Sequence, residues 1–541
     1  MNRRVLYVIT LTILFLMVPQ LQDACTSVLV SKGASKDGST IISYSCDGEF
    51  HPRPRIIPAA DHKPGEMVEI KTWRSVKGKI PQVPHTYKVV GLINEHQLAI
   101  GETTSGGRPE LVNKDSMFHY YPLMLIALQR AKTAREAITV MTDLVEKYGY
   151  ASEGESISIA DKKEVWLLEI FGVGKKKKGA VWVAIRIPDG SIAATANMSR
   201  IRRFPLNDPE NCRYSKNVIS FATEQGFYDP KSKKPFSFSH AYNPPTEEQV
   251  RYSSRRVWSI FRRVSPSLKL SPDYSSSVKG TKPYDLYIKA DRKLSVRDVI
   301  ALHRDHYEGT QFDMTKDLSA GPYGSADRRR PMKWKVDGKK YAWERPISTQ
   351  QAAFVFISQS RSDVPDQIGG INWYGMDTPY TNVFVPFYTS ITELPKCYQT
   401  GSLSQFTRDS AWWIFNFVAN YTNLRYKDMI QDVQKVQTDL EDLEFQLQPA
   451  IETTARHLLK SNPQLLEKYL TNYCVSNAET VVKKWKQLGD FLITKYNDGY
   501  VQEKPGRAKE VGYPLEWLRK EVKATGKKKL LKQERNGDRE L

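Results

Sequence analysis

Cys25 is the residue of this 541-residue chain whose type and position best suit covalent catalysis. It follows Arg3, Arg4 and an unbroken apolar run from Val5 to Val18, which is too short to span a bilayer and reads as an export signal, with the small Ala24 just before the expected cut. Cleavage there leaves Cys25 at the mature N-terminus with a free α-amine. That amine, with an unperturbed pKa of about 8, can take the thiol proton, so nucleophile and base belong to one residue. The competing reading is a lipid anchor on the same cysteine. Such signals usually place Leu three residues and a small residue two residues before the cysteine, where this chain has Gln22 and Asp23.

Other chemistry-bearing residues offer less. His303 and His306 lie three apart, but no third ligand follows at metal spacing and Tyr307-Glu308-Gly309 breaks the pattern, so neither a metal nor another cofactor is expected. The total of five cysteines is odd and includes no CxxC pair, which argues against a zinc site and a disulfide framework. Cys46, Cys212, Cys397 and Cys474 read as small buried apolar side chains. Glu102 either binds a substrate amine or pairs with a neighbouring Lys or Arg. The 80 Lys and Arg against 60 Asp and Glu give a formal charge of +20, yet the basic residues are scattered and no nucleic-acid-binding signature accompanies them. No nucleic-acid partner is expected. The clusters Lys175–Lys178 and Lys527–Lys529 read as solvated loops.

The elements that must position Cys25 begin at once. Strand-like runs at Ser27–Ser31 and Thr40–Tyr44 flank a turn around Lys36-Asp37-Gly38, a hairpin starting at the nucleophile. "GLINEHQLAIGETTSGG" reads as a second hairpin. "TAREAITVMTDLVEKYG" reads as a helix opened by a Thr133/Glu136 capping box. "SISIADKKEVWLLEIFG" and "GAVWVAIRIPDGSIAATANMSRI" read as strands joined by tight turns, the last ending at Asn197. Met117–Arg130 and Ala134–Tyr148 are expected helices. Past residue 405, Met429, Val433, Val436, Leu440, Leu443 and Leu447 make one apolar stripe on a long helix.

These motifs resemble the cysteine dipeptidase family of the N-terminal nucleophile (Ntn) hydrolases, relatives of choloylglycine hydrolases and penicillin V acylases. The likeness runs from Cys25-Thr26 and the Asp-Gly-Ser-Thr hairpin through "NEHQLAIGET", "HRDHYEGTQFD", "FVFISQSRSDVPDQIGGINWYGMD" and "SAWWIFNFVAN", in family order. It implies an α+β fold, the four-layer αββα sandwich, with a C-terminal helical extension. It also implies that Cys25 is the nucleophile, that Asp47 holds its amine, and that Asn197 donates to the oxyanion, with Thr104 near the second oxyanion position. Many relatives carry Arg-Asn-x-Asp where this chain has Tyr44-Ser45-Cys46-Asp47. The positive charge beside the nucleophile is therefore missing unless Arg255 supplies it. Strand alternation sends Cys46 and Asp47 to opposite faces. Asp47 is assigned the nucleophile's side, so Cys46→Ala is expected to keep most activity.

The expected organisation is a signal peptide at 1–24, a catalytic domain at 25–404, a helical extension packed on it at 405–524 and a basic tail at 525–541. The expected activity is hydrolysis of dipeptides or very short peptides by an exported, periplasmic or secreted enzyme with no membrane span after signal removal; an oligomer is left open. The alternatives are the same chemistry on an N-acyl amide and a non-catalytic, lipid-anchored surface protein.

Overall fold

The computed structural model describes residues 25–48, 50–72, 75–328, 333–504, 507–509 and 511–526. Residues 1–24 and those beyond 526 lie outside the described residues, as do the signal peptide and the basic tail expected there.

Strands β1 (Ser27–Val30) and β2 (Ile41–Asp47) form an antiparallel hairpin with Leu29 opposite Ile42 and Val30 opposite Ile41. Asp37 closes its turn by accepting from the Ser39 N–H at 3.1 Å and the Ser39 hydroxyl at 2.6 Å. Gly38 takes a φ of 70° that a side chain would resist. The hairpin lies in a seven-stranded antiparallel sheet with the order Tyr287–Lys289, Ser191–Thr195, β1, β2, Ala352–Gln359, Ile371–Met376, Val385–Tyr388. A second, eight-stranded antiparallel sheet includes the consecutive neighbours Ala99–Gly106, Gly154–Ala160, Val165–Gly172 and Ala180–Arg186.

The runs "SVLV" and "IISYSCD" are buried along their whole length, because both faces of the hairpin are covered. Val28, Val30 and Ile41 join one core with Val257, Ile260, Phe261 and the C-terminal helices. Leu29, Ile42, Tyr44 and Cys46 join the other, with Ile100, Ile157 and Leu168 of the second sheet. Helices α1 (Tyr120–Arg130) and α2 (Ala134–Tyr148) pack on the second sheet. Thr133 caps α2 by accepting from the Glu136 N–H, while the Glu136 carboxylate takes the Lys132 N–H at 2.7 Å. The helices Arg255–Val264 and Val296–His303 pack on the first sheet. The result is a mixed α+β body with a helical C-terminal region.

In that region the helix Tyr426–Ser461 runs beside Pro463–Lys495 and against the strand Val385–Tyr388. The apolar stripe is buried at Met429 and Val433 but exposed at Leu443 and Leu447. Farther along, the buried face carries Gln437, Glu441, Glu444 and Glu452 instead. A stripe with a mean period of 3.5 drifts about 20° per heptad on a 3.6-residue helix, and polar groups fixed by the body take over the contact. Arg304 pairs with Glu441 at 2.6 Å, and Arg361 with Glu452 at 2.8 Å. Among the described residues, no helix is long and apolar enough to cross a membrane.

Candidate active site

Cys25 stands one residue before the isolated antiparallel bridge Thr26–Ser45, which continues the β1–β2 pairing. The Ser45 N–H donates to the Thr26 carbonyl at 2.9 Å, and the Thr26 N–H donates to the Ser45 hydroxyl at 3.0 Å. The Cys25 side chain is 1% exposed. Its thiol donates to Oε1 of Glu102 at 3.8 Å, and the Tyr44 hydroxyl donates to the same oxygen at 2.5 Å. Tyr44 gets there because Gly101 has no side chain: a Cβ at 101 would sit 2.9 Å from the Cβ of Tyr44. The hydrogen bond with Cys46, burial and the negative charge of Glu102 together push the thiol pKa well above its ordinary value.

Glu102 is half of an acidic pair. Burial and Glu102 hold the Glu155 carboxyl well above the carboxylate range, with a hydrogen bond between the two side chains. Two carboxyls this close disfavour ionising together. Thr104 lies on the same strand as Glu102. Its hydroxyl donates to Glu155 at 3.2 Å, and its carbonyl accepts from Nδ2 of Asn197 at 2.9 Å.

Asn197 follows the strand Ser191–Thr195 with a φ of 58°, a left-handed conformation that Asn tolerates better than most side chains. Its Oδ1 accepts from Nη2 of Arg256 at 2.8 Å, and Nη1 of the same guanidinium donates to the Cys25 carbonyl at 2.6 Å and to the Thr26 hydroxyl at 2.8 Å. Burial and the nearby Arg345 pull the Arg256 pKa down to about 9, which leaves it charged at neutral pH. One planar group thus ties the backbone of Cys25 to the amide of Asn197.

The arginine that reaches the site is Arg256 and not Arg255. A π-helical turn at Val250–Ser254 leads into the helix, and neighbours on a helix point about 100° apart. Arg255 turns away to pair with Glu344 at 2.8 Å and to cover the Phe312 ring at 3.4 Å. The sequence held the signal: Arg256 lies four residues before Ile260, on the buried stripe of Val257, Ile260, Phe261 and Val264.

Alternation along β2 also assigns its two residues differently. Cys46 shares the core and the face of Cys25, Tyr44 and Leu29, whereas Asp47 is paired with Arg345 in an ion pair whose side chains are 0% and 2% exposed. Cys46, not Asp47, is the neighbour of the thiol. Arg345 lies in an irregular segment far along the chain, and no local pattern singled it out.

The two histidines have separate partners. His303 accepts from or donates to the Ser43 hydroxyl at 2.8 Å, and burial pulls its pKa down to about 3. His306 sits between Asp327 at 2.8 Å and Glu308 at 3.1 Å, and these carboxylates outweigh burial to raise its pKa to about 10. No cluster of three or more His, Cys, Asp or Glu among the described residues has the arrangement to hold a metal ion.

A cysteine, an amide held by hydrogen bonds and a buried cation meet here, and comparison with known proteins gives the class. The model of peptidase family C69 matches residues 24–87 and 68–439. The chain belongs to peptidase family C69. A protein of Latilactobacillus sakei named "Probable dipeptidase" is 29% identical over 428 residues, 75% of this chain and 82% of its own length. A "Probable dipeptidase" of Salmonella dublin is 28% identical over 387 residues, 68% of this chain and 81% of its own. A "Probable dipeptidase B" of Streptococcus pyogenes serotype M1 is 24% identical over 493 residues, 87% of this chain and 93% of its own.

Proposed function

We propose that this chain is an exported cysteine peptidase of the N-terminal nucleophile class, cleaving dipeptides or very short peptides through an acyl-enzyme on Cys25. The observation that carries the reading is the bridge made by Arg256, which holds the Asn197 amide in fixed relation to Cys25. Two face-to-face sheets with helices on their outer sides fit the four-layer αββα sandwich of that class. The family match and the relatives' names support the peptidase chemistry and the dipeptide substrate.

In this reading, removal of residues 1–24 frees the α-amine of Cys25. The Asp47 carboxylate holds that amine in this reading, and its charge is felt at the Cys25 thiol, which supports its nearness. The thiol starts protonated, because its surroundings raise its pKa, so the amine must take the proton as attack proceeds. Sulfur adds to the scissile carbonyl carbon, and the Asn197 amide donates to the oxygen as it becomes negative. The C–N bond then breaks as the proton passes to the leaving amine, and water hydrolyses the thioester. The acidic Glu102–Glu155 pair suits the α-ammonium of the residue held on sulfur.

The test is to incubate the chain beginning at Cys25 with panels of dipeptides and N-acyl amides, with acid quench and intact-mass analysis. Dipeptide turnover and an aminoacyl thioester on Cys25 are expected, both lost in Cys25→Ala. Turnover of N-acyl amides alone would replace the dipeptidase reading with an amidase. A diacylglyceryl adduct on Cys25 of the protein isolated from cells would replace it with an anchor.

A further inference from the structure

The β1–β2 register has a second consequence. Leu29 pairs with Ile42, Val30 with Ile41 and, past a stretch where the Ser43 hydroxyl takes the Val28 N–H, Thr26 with Ser45 at the same offset, so the next step brings Cys25 opposite Cys46, whose side chain hydrogen-bonds with the Cys25 thiol. Thr26 and Ser45 share one main-chain hydrogen bond, from the Ser45 N–H to the Thr26 carbonyl, while the Thr26 N–H turns to the Ser45 hydroxyl; Cys25 and Cys46, one step on, fall at the alternate, non-hydrogen-bonded position. In such pairs the Cα atoms are about 4.5 Å apart and the side chains are closest. That separation lies within the roughly 4.4–6.8 Å that a disulfide spans. Both side chains project to the same face, in the core that also holds Tyr44 and Leu29. Both are free thiols in this structure.

We propose that Cys46 is the resolving cysteine of a reversible modification site, forming a disulfide with Cys25 that removes the nucleophile when the enzyme meets a low-molecular-weight disulfide. The inference rests on Cys25 being the nucleophile, since the small disulfide must reach the same sulfur that a peptide substrate reaches. The α-amine takes the proton of Cys25, whose sulfur attacks one sulfur of the small disulfide and expels a thiolate that picks up a proton, leaving a mixed disulfide on Cys25. The Cys46 thiol loses its proton, attacks the Cys25 sulfur and expels the second thiol. Two protein thiols are oxidised and one small disulfide is reduced to two thiols. Capture by Cys46 also keeps Cys25 from the irreversible sulfinic and sulfonic states.

The experiment treats the chain beginning at Cys25 with oxidised glutathione and follows intact mass, free-thiol titre, peptide mapping and dipeptide hydrolysis together. The expected product has lost two hydrogens, carries a Cys25–Cys46 cross-linked peptide, loses activity in proportion to that cross-link, and recovers with dithiothreitol. In Cys46→Ser the expected product is a stable glutathione adduct on Cys25. Wild-type protein that loses activity while keeping glutathione on Cys25 would overturn the resolving role and leave the nucleophile intact. A Cys25–Cys46 cross-link that left hydrolysis unchanged would instead overturn the assignment of Cys25 as nucleophile.

Discussion

The guanidinium of Arg256 donates to the Asn197 side-chain oxygen at 2.8 Å and to the Cys25 carbonyl at 2.6 Å. Since the cation claims Oδ1, the NH₂ end of the amide is turned towards Thr104, whose carbonyl it meets at 2.9 Å. The orientation of the Asn197 amide is therefore set by a charge and not by the amide itself.

Arg256→Lys keeps the charge but cannot span both acceptors, because an ammonium is a point donor without the guanidinium fork. The expected outcome is a fall in kcat on the order of 100-fold, comparable to losing an oxyanion donor. A drop in stability of about 1–3 kcal/mol should accompany it, from carbonyls left without their donor. Steady-state kinetics beside chemical denaturation check it. An unchanged kcat would remove Arg256 from the machinery.

Asn197 allows its chemistry to be separated from its conformation. At a φ of 58°, Asn197→Ala loses the amide and also strains the backbone, whereas Asn197→Gly loses the amide alone. Both variants should turn over dipeptide roughly 100-fold or more slowly. Both should lose about 1–3 kcal/mol with the amide's bonds to Arg256 and Thr104, and Asn197→Ala about 1 kcal/mol more. A glycine variant with near-normal kcat would reduce Asn197 to a turn residue.

How far the sequence disclosed this site depends on the kind of contact. Cys25, the hairpin behind it and the strand leading to Asn197 could be read because apolar runs and turn residues act locally. Arg256 was missed by one position, although the stripe of Val257, Ile260 and Phe261 marks its face. Arg345 could not be found, since its pairing with Asp47 joins residues 298 apart in the chain and leaves no periodic trace. The same holds for Glu155, which looks like an ordinary strand carboxylate until the register sets it opposite Thr104 and within reach of Glu102.

Asp47→Asn should cost more in stability than its place at the active site suggests. It strands the buried Arg345 guanidinium, and breaking one side of a buried pair typically costs about 3–5 kcal/mol. Replacing both, as in Asp47→Asn with Arg345→Met, should recover much of that loss while activity stays low, because the proposed mechanism needs the Asp47 carboxylate to hold the amine of Cys25. Denaturant titrations of the single and double variants decide the matter. A double variant with restored kcat would show that Asp47 acts only through folding.

The helix pair of the C-terminal region should make stability depend on pH through Glu444. This carboxylate is 2% exposed and accepts from Nδ2 of Asn477 at 2.8 Å, but burial outweighs that bond and lifts its pKa to about 7. A carboxyl whose folded pKa lies above its unfolded value of about 4.3 binds its proton more tightly in the native state. The stability it contributes is fully present below about pH 4.3 and is lost as pH rises through 7, a total on the order of 3 kcal/mol. Asp377, raised to about 7 by burial despite the Asn416 amide at 3.0 Å, adds a loss over an overlapping window. Glu444→Gln should therefore reduce the fall in unfolding free energy between pH 5 and 8 without abolishing it, and should leave the variant more stable than the parent at pH 8. Urea denaturation across that range provides the measurement. A parent whose stability does not fall more than the variant's would mean that Glu444 is ionised in the folded protein, with the helices parted enough to hydrate it.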